Sequence, residues 1–170
     1  MADPSVKRWR QSGKVYLWRY RDNSRNYPGW NMTTDVAGCS SLLELLDLID
    51  AARWSCTAAI RVSRPTPEIL NMVGNMAGAA RWSSRGTFVL RVPKGKVTED
   101  HWDVRVDART VTLTLGVARL PEFRQAVIDL QQGEGDFGLG PPDESDLHDA
   151  AFDRQCLSFW WIPGGGRKRW

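Results

Sequence analysis

Apolar and polar residues alternate one by one in Trp102-Asp103-Val104-Arg105-Val106 and again in Val111-Thr112-Leu113-Thr114-Leu115, with the polar turn Asp107-Ala108-Arg109 between them. A period of two sends every second side chain to the same face, so this segment predicts an antiparallel hairpin with one face buried. Thr87-Phe88-Val89-Leu90-Arg91-Val92 predicts a further strand, ended by Pro93-Lys94-Gly95. Near the start, Lys14-Val15-Tyr16-Leu17-Trp18-Arg19-Tyr20 is rich in the aromatic and branched residues that suit a pleated surface, and Trp30-Asn31-Met32-Thr33 forms its return strand across a run of turn residues. Residues 57–62 and 157–162 read as two more strands, stopped by Pro65 and Pro163.

The pattern changes to a period near 3.6 in two places. Over residues 42–53, Leu42, Leu45, Leu46, Leu48, Ile49 and Ala52 make a broad apolar arc, with Ser40 and Ser41 as N-cap residues and Glu44 three positions beyond Ser41. Leu43 and Trp54 fall outside that arc, beside Asp47 and Asp50. Pro121 opens a second helix on which Leu120, Phe123, Ala126, Val127 and Leu130 share a face, and Gly133 supplies its left-handed stop. A short helix over 67–73 is capped by Thr66, and residues 71–78, with Gly74 and Gly78, read as an irregular connection. Hairpins with one apolar face and helices with one apolar stripe cover each other, which predicts an α+β fold: a mainly antiparallel sheet carrying two amphipathic helices in a two-layer sandwich. The order strand, strand, helix, strand recurs at both ends and suggests an internal repeat, echoed by Ala51-Ala52-Arg53-Trp54-Ser55 and Ala79-Ala80-Arg81-Trp82-Ser83.

Length changes this picture little: 170 residues, 42% apolar and 25% charged, fit one globular domain over residues 1–163, followed by a flexible basic tail at 164–170. Charge adds more. The net value is only +3, yet Lys7, Arg8, Arg10, Lys14, Arg19, Arg21 and Arg25 crowd the first thirty residues against Asp3 and Asp22. Glu134, Asp136, Asp143, Glu144, Asp146, Asp149 and Asp153 form an acidic stretch that can neutralise them within one fold. With no apolar run of about 18 residues and no leader-like start, the sequence predicts an unexported, cytoplasmic protein with no membrane partner. Cys39, Cys56 and Cys156 are odd in number and widely spaced, as suits reduced thiols.

Candidate chemistry is sparse. Gly133-Glu134-Gly135-Asp136-Phe137-Gly138 has the spelling of a dinucleotide loop, but it follows a helix and carries two acids where a pyrophosphate would sit, so it reads as a helix exit pinned by Phe137. The acidic run with His148 lacks the ligand spacing and internal glycine of a calcium loop. Neither histidine has metal-ligand spacing, and Glu99-Asp100-His101 reads as a polar turn before Trp102. These exclusions leave no catalytic residue, cofactor or metal to name.

What remains is an interleaving of tryptophan with arginine, as in Arg8-Trp9-Arg10, Trp18-Arg19, Arg53-Trp54 and Arg81-Trp82. Both residue types dominate protein interfaces. The leading expectation is a non-enzymatic cytosolic protein, a small accessory or neutralising partner, that binds another protein through Leu43, Asp47, Asp50 and Trp54. The alternative is a nucleic-acid-binding module using Arg8, Trp9, Arg10, Arg19 and Arg21, where rings stack bases and guanidinium groups hold phosphates. A third is an enzyme whose site is assembled from dispersed residues. Self-association as a homo-oligomer stays open.

Overall fold

The structure, a computed structural model, describes residues 4–21, 29–73, 81–95, 99–135, 137–142 and 154–162. Its elements in chain order are α1 (Pro4–Arg8), β1 (Val15–Tyr20), β2 (Trp30–Thr34), α2 (Val36–Ala51), β3 (Cys56–Ser63), α3 (Pro67–Leu70), β4 (Trp82–Ser84), β5 (Thr87–Val92), β6 (Trp102–Val106), β7 (Thr110–Leu115), a 3-10 turn (Val117–Arg119), α4 (Leu120–Gln132), β8 (Phe137–Leu139) and β9 (Leu157–Phe159).

The hairpin β6–β7 forms in the register the alternation predicts, from Trp102 opposite Leu115 to Val106 opposite Val111. Asp107 closes its turn by accepting the N–H groups of Arg109 and Thr110, both at 2.9 Å. At the other hairpin the main surprise is where the helix begins. The Asp35 carboxylate caps α2 by accepting from Gly38 N at 2.7 Å and also takes the Lys14 N–H at 2.9 Å, so the helix starts several residues before Ser40 and Ser41. Those serines lie inside it: Ser40 Oγ donates to the Val36 carbonyl and Ser41 Oγ accepts from Ser12 N. An N-terminal serine pair looked like a cap because an aspartate followed by Val36-Ala37-Gly38 has no apolar stripe to announce it. Gly13, at φ 70°, and Gly38 bring the entry to β1 against the first turn of α2, where a side chain on Gly13 would meet the Gly38 backbone. Gly133 ends α4 at φ 79°, as the sequence predicts.

The nine strands form one mixed sheet in the order β6-β7-β5-β3-β1-β2-β9-β8, with β4 also paired to β1. Pairing is antiparallel for β1–β2, β1–β4, β3–β5, β6–β7 and β8–β9, and parallel for β1–β3, β2–β9 and β5–β7. The join between β1 and β3 is narrow, only Val15 with Val62 and Tyr16 with Ser63. Past it β4 takes the place beside β1, setting Trp18, Arg19 and Tyr20 opposite Ser84, Ser83 and Trp82.

One face of the whole sheet packs under α2 and α4 in a core that includes Leu17, Leu45, Ile49, Phe88, Leu113, Phe123 and Phe159. The opposite face of β1 and β2 carries a second cluster, Tyr16, Trp18, Tyr20 and Trp160 with Ile69 of α3 and Val73. That half of the sheet is therefore covered on both sides, a layer beyond the two expected. An α+β architecture holds, with the sheet mixed. The two strand-strand-helix units close differently. After α2, β3 returns to β1 of its own hairpin; after α4, β9 crosses to β2 of the other one, with β8 on its far side. The shorter echo separates too, since Trp54 lies in a bend and Trp82 in β4. The basic tail and most of the acidic run lie outside the described residues.

At the outer strand β6, the Gln155 side chain does what a neighbouring strand would do. Its Oε1 accepts from Val104 N at 2.5 Å and its Nε2 donates to Val104 O at 3.1 Å, while its own carbonyl accepts the Trp102 indole N–H at 2.7 Å.

Candidate binding surface

Residues 52–55 leave α2 and enter β3 in a short bend, and a single lysine organises it. The last turn of α2 contains no basic residue to offset the negative end of its dipole. Lys94, just after β5, supplies that charge from another part of the chain: its Nζ donates to the Asp50 carbonyl at 3.1 Å and to the Ala52 carbonyl. The Lys94 backbone N–H donates to Ser55 Oγ at 2.9 Å, and Cys56 Sγ donates to the Trp54 carbonyl at 3.2 Å. Trp54 is thus carried on backbone tied on both sides, with its side chain 58% exposed. Trp9, Trp18, Trp30, Trp102 and Trp160 are buried, and Trp82 and Trp161 are half-buried.

The four residues of the predicted protein-binding stripe, Leu43, Asp47, Asp50 and Trp54, do lie along one side of α2 and its exit, but α4 packs beside that stripe. Leu43 is half-buried against the core, and Asp47 is ion-paired to Arg124 of α4. Asp50 and Trp54 remain in solvent. The usable patch is the C-terminal half of the stripe, framed by Arg53 and the Lys94 clamp.

The nucleic-acid set divides more sharply. Trp9 is 9% exposed and donates its indole N–H to the Ser41 carbonyl at 3.0 Å, so its ring is core and offers no face to a base. Arg8 and Arg10 are exposed, with Arg10 turned back onto the carbonyls of Lys7 and Trp9. Arg19 and Arg21 sit at the far end of β1. Burial, then the neighbouring charges of Arg85, Arg21 and Arg154, hold the Arg19 guanidinium below its ordinary range. The cation–π contacts among the described residues all join side chains distant in sequence: Arg19 over Trp30 at 5.5 Å, Arg64 over Trp82 at 5.7 Å and Arg119 over Trp102 at 5.2 Å. Adjacent Arg and Trp on a strand point to opposite faces, which is why the interleaving does not stack on itself.

Compared with known proteins, the chain matches no family model, no curated protein and no solved structure.

Other candidate chemistry is placed as follows. His101 joins Arg91, Asp103, Arg105, Val106, Asp107, Thr112 and Thr114 around a shallow cleft of about 530 Å³ on the solvent face of β5, β6 and β7. Asp103 is engaged by Arg105 at 2.7 Å, and Asp107 by its turn. The backbone of the Glu99-Asp100-His101 turn is tied to the entrance of α4, Gly116 N donating to His101 O and Ala118 N to Glu99 O. Cys39 and Cys56 are buried and Cys156 is half-buried. Burial pushes the Cys39 thiol up to about 11, against a hydrogen bond with Thr34, so it is no ready nucleophile near neutrality. Among the described residues no three His, Cys, Asp or Glu side chains gather as a metal site. Phe137 stacks on Phe159 at 5.3 Å, in the short strand β8, where the sequence suggested a pinned loop. Of the former dinucleotide-like stretch, Asp136 lies outside the described residues. Among the described residues no helix is long and apolar enough to cross a membrane.

Sequence reasoning missed Lys94. The signal was there in negative form, a helix ending Asp50-Ala51-Ala52 with no cation of its own, but nothing in the linear order says which lysine answers it.

Proposed function

We propose that this is a non-enzymatic protein that works by binding another protein through the bend at Trp54, in the manner of a small cytosolic accessory or neutralising partner. The observation that carries the proposal is a tryptophan 58% exposed on a bend clamped by Lys94. An exposed indole loses favourable burial energy, and a rigid one forfeits little entropy on docking, so a fixed solvent-facing tryptophan suits the centre of a contact. Asp50 and Arg53 flank it as polar rim. The nucleic-acid alternative loses the stacking ring it relied on, because Trp9 is buried.

The test is Trp54→Ala, with denaturation and partner capture from the native host measured on the same variant. Capture weakens by about 2 kcal/mol or more, the usual range for a central interface residue, while stability changes by less than about 0.5 kcal/mol, as for surface positions. A loss of roughly 3–5 kcal/mol in stability instead, the signature of a core aromatic, overturns the proposal at this residue.

A further inference from the structure

A group of arginines collects where β1 ends. Pairing with β4 sets Arg19 opposite Ser83 on the inward side of the strands, and the ladder continues as Arg21 N donates to the Arg81 carbonyl at 2.8 Å. Arg85, immediately after β4, is anchored by Nε to the Asp107 carbonyl at 2.9 Å and by Nη1 to the Ser84 carbonyl at 3.0 Å. Arg154 lies just before β9, whose neighbour β2 supplies the Trp30 ring beneath Arg19. Like charges on neighbouring positions repel, and after burial the charges of Arg85, Arg21 and Arg154 help to hold the Arg19 guanidinium below its ordinary range. Among the described residues no carboxylate is ion-paired to Arg19, Arg21, Arg85 or Arg154. The Asp107 carboxylate, which feels Arg85, is spent on the N–H groups of its own turn.

A second observation is independent of charge. Ser83 is 7% exposed, shares the face of Arg19, and its hydroxyl has no hydrogen-bond partner among the described residues. Buried hydroxyls are nearly always paired, and an orphan beside several cations calls for an acceptor that is anionic.

We infer that Arg19, Arg21, Arg85, Arg154 and Ser83 form a binding site for a compact ligand bearing phosphate groups. Guanidinium forks match phosphate oxygens, and a serine hydroxyl adds a neutral donor to the same oxygens. Compactness follows from two features. Trp30, 2% exposed beneath Arg19, gives no face on which a base could stack. The other exposed basic residues described in the N-terminal region, Lys7, Arg8, Arg10 and Lys14, belong to the opposite end of β1, where Gln11 bonds to Arg61 of β3, so no continuous track for a nucleic-acid strand joins them.

Titration of the full chain with inorganic pyrophosphate, and separately with a fifteen-residue oligothymidylate, tests this and separates a small phosphate ligand from a nucleic-acid backbone. Pyrophosphate binds the parent protein at millimolar concentration or below and raises its thermal midpoint. The double change Arg21→Ala with Arg154→Ala, both at exposed positions, weakens that binding at least about tenfold without lowering the unliganded midpoint. Ser83→Ala weakens it several-fold while the unliganded midpoint holds or rises, because the variant no longer buries an unpaired hydroxyl. Trp54→Ala leaves it unchanged, so failure here and failure of the protein-binding proposal are distinguishable. The inference is overturned if pyrophosphate does not bind, if the arginine and serine variants bind it as well as the parent, or if only the oligonucleotide binds with a steep salt dependence, the mark of many dispersed phosphate contacts.

Discussion

The two halves of the sheet are made of strands of similar length and opposite exposure. In β1 and β2 nearly every residue is buried, because α2 lies on one face and α3, Val73 and Trp160 on the other. In β3, β5 and β7 burial alternates residue by residue: Cys56, Ala58, Ile60, Phe88, Leu90, Val111 and Leu113 face the helices, while Thr57, Ala59, Arg61, Arg91 and Thr112 face outward. The difference teaches that a polar letter means opposite things in the two halves. Thr112 is polar because it faces water. Asn31 is polar and wholly buried, its Oδ1 accepting the Trp160 indole N–H at 2.9 Å, so it ties the outer aromatic layer to the strand.

With β1 covered on both faces, Trp18→Ala removes the largest fully buried side chain in that half and costs about 3–5 kcal/mol. Chemical denaturation measures it; a loss under about 1 kcal/mol, the average for an arbitrary site, would return β1 to the half-exposed class. Asn31→Ala comes next, at about 1–3 kcal/mol, since the buried bond from the Trp160 N–H to Asn31 Oδ1 would be lost. A comparable loss from Trp160→Phe, with little added in the double variant, assigns the effect to that bond.

Covered layers also exclude charge, which gives a pH test. The Cys39 thiol, pushed up to about 11 by burial, ionises in the unfolded chain near its ordinary value of about 8.5. Its folded value is the higher one, so its contribution is fully present below the ordinary thiol range and declines as pH rises through about 11. Denaturation between these limits should show a steeper decline for the parent than for Cys39→Ala. Equal slopes would mean that the thiol ionises as freely in the fold as outside it. The smallest effect belongs to the open half: Thr112→Ala changes stability by no more than about 0.5 kcal/mol, and a larger loss would show that the outward face of β7 is covered after all.

The same contrast explains which parts of the molecule could be foreseen. Strands that are buried on one face write that fact into their sequence, and β5, β6 and β7 fall where the alternation puts them. The α4 stripe and its Gly133 stop are equally legible, since amphipathicity and a left-handed glycine are local properties. The failures are all non-local. The α2 start depends on Asp35 receiving the Lys14 N–H from the strand before it. Strand β4 is three residues long and pairs with β1 only beyond the point where β3 has left it. The parallel crossing of β9 to β2 is a choice of partner that no periodicity encodes. Trp54 stood out as apolar surplus on α2, yet its setting depends on Lys94, forty residues away. Arg85 has no sequence relation to Arg19 at all; only the pairing of β4 with β1 brings it to that end of the strand.

The amide of Gln155 sets a limit on how far the sheet can grow. β6 is the outer strand, and the Val104 N–H and C=O that would recruit another strand are already used by one side chain. Outer strands with vacant backbone groups are templates for edge-to-edge association between molecules. A glutamine whose two polar atoms copy a peptide group ends the ladder at Val104, on a strand that also carries the charges of Asp103 and Arg105. Replacing Gln155 would therefore release the Val104 N–H and C=O together, reopening the middle of this margin to a strand from another molecule.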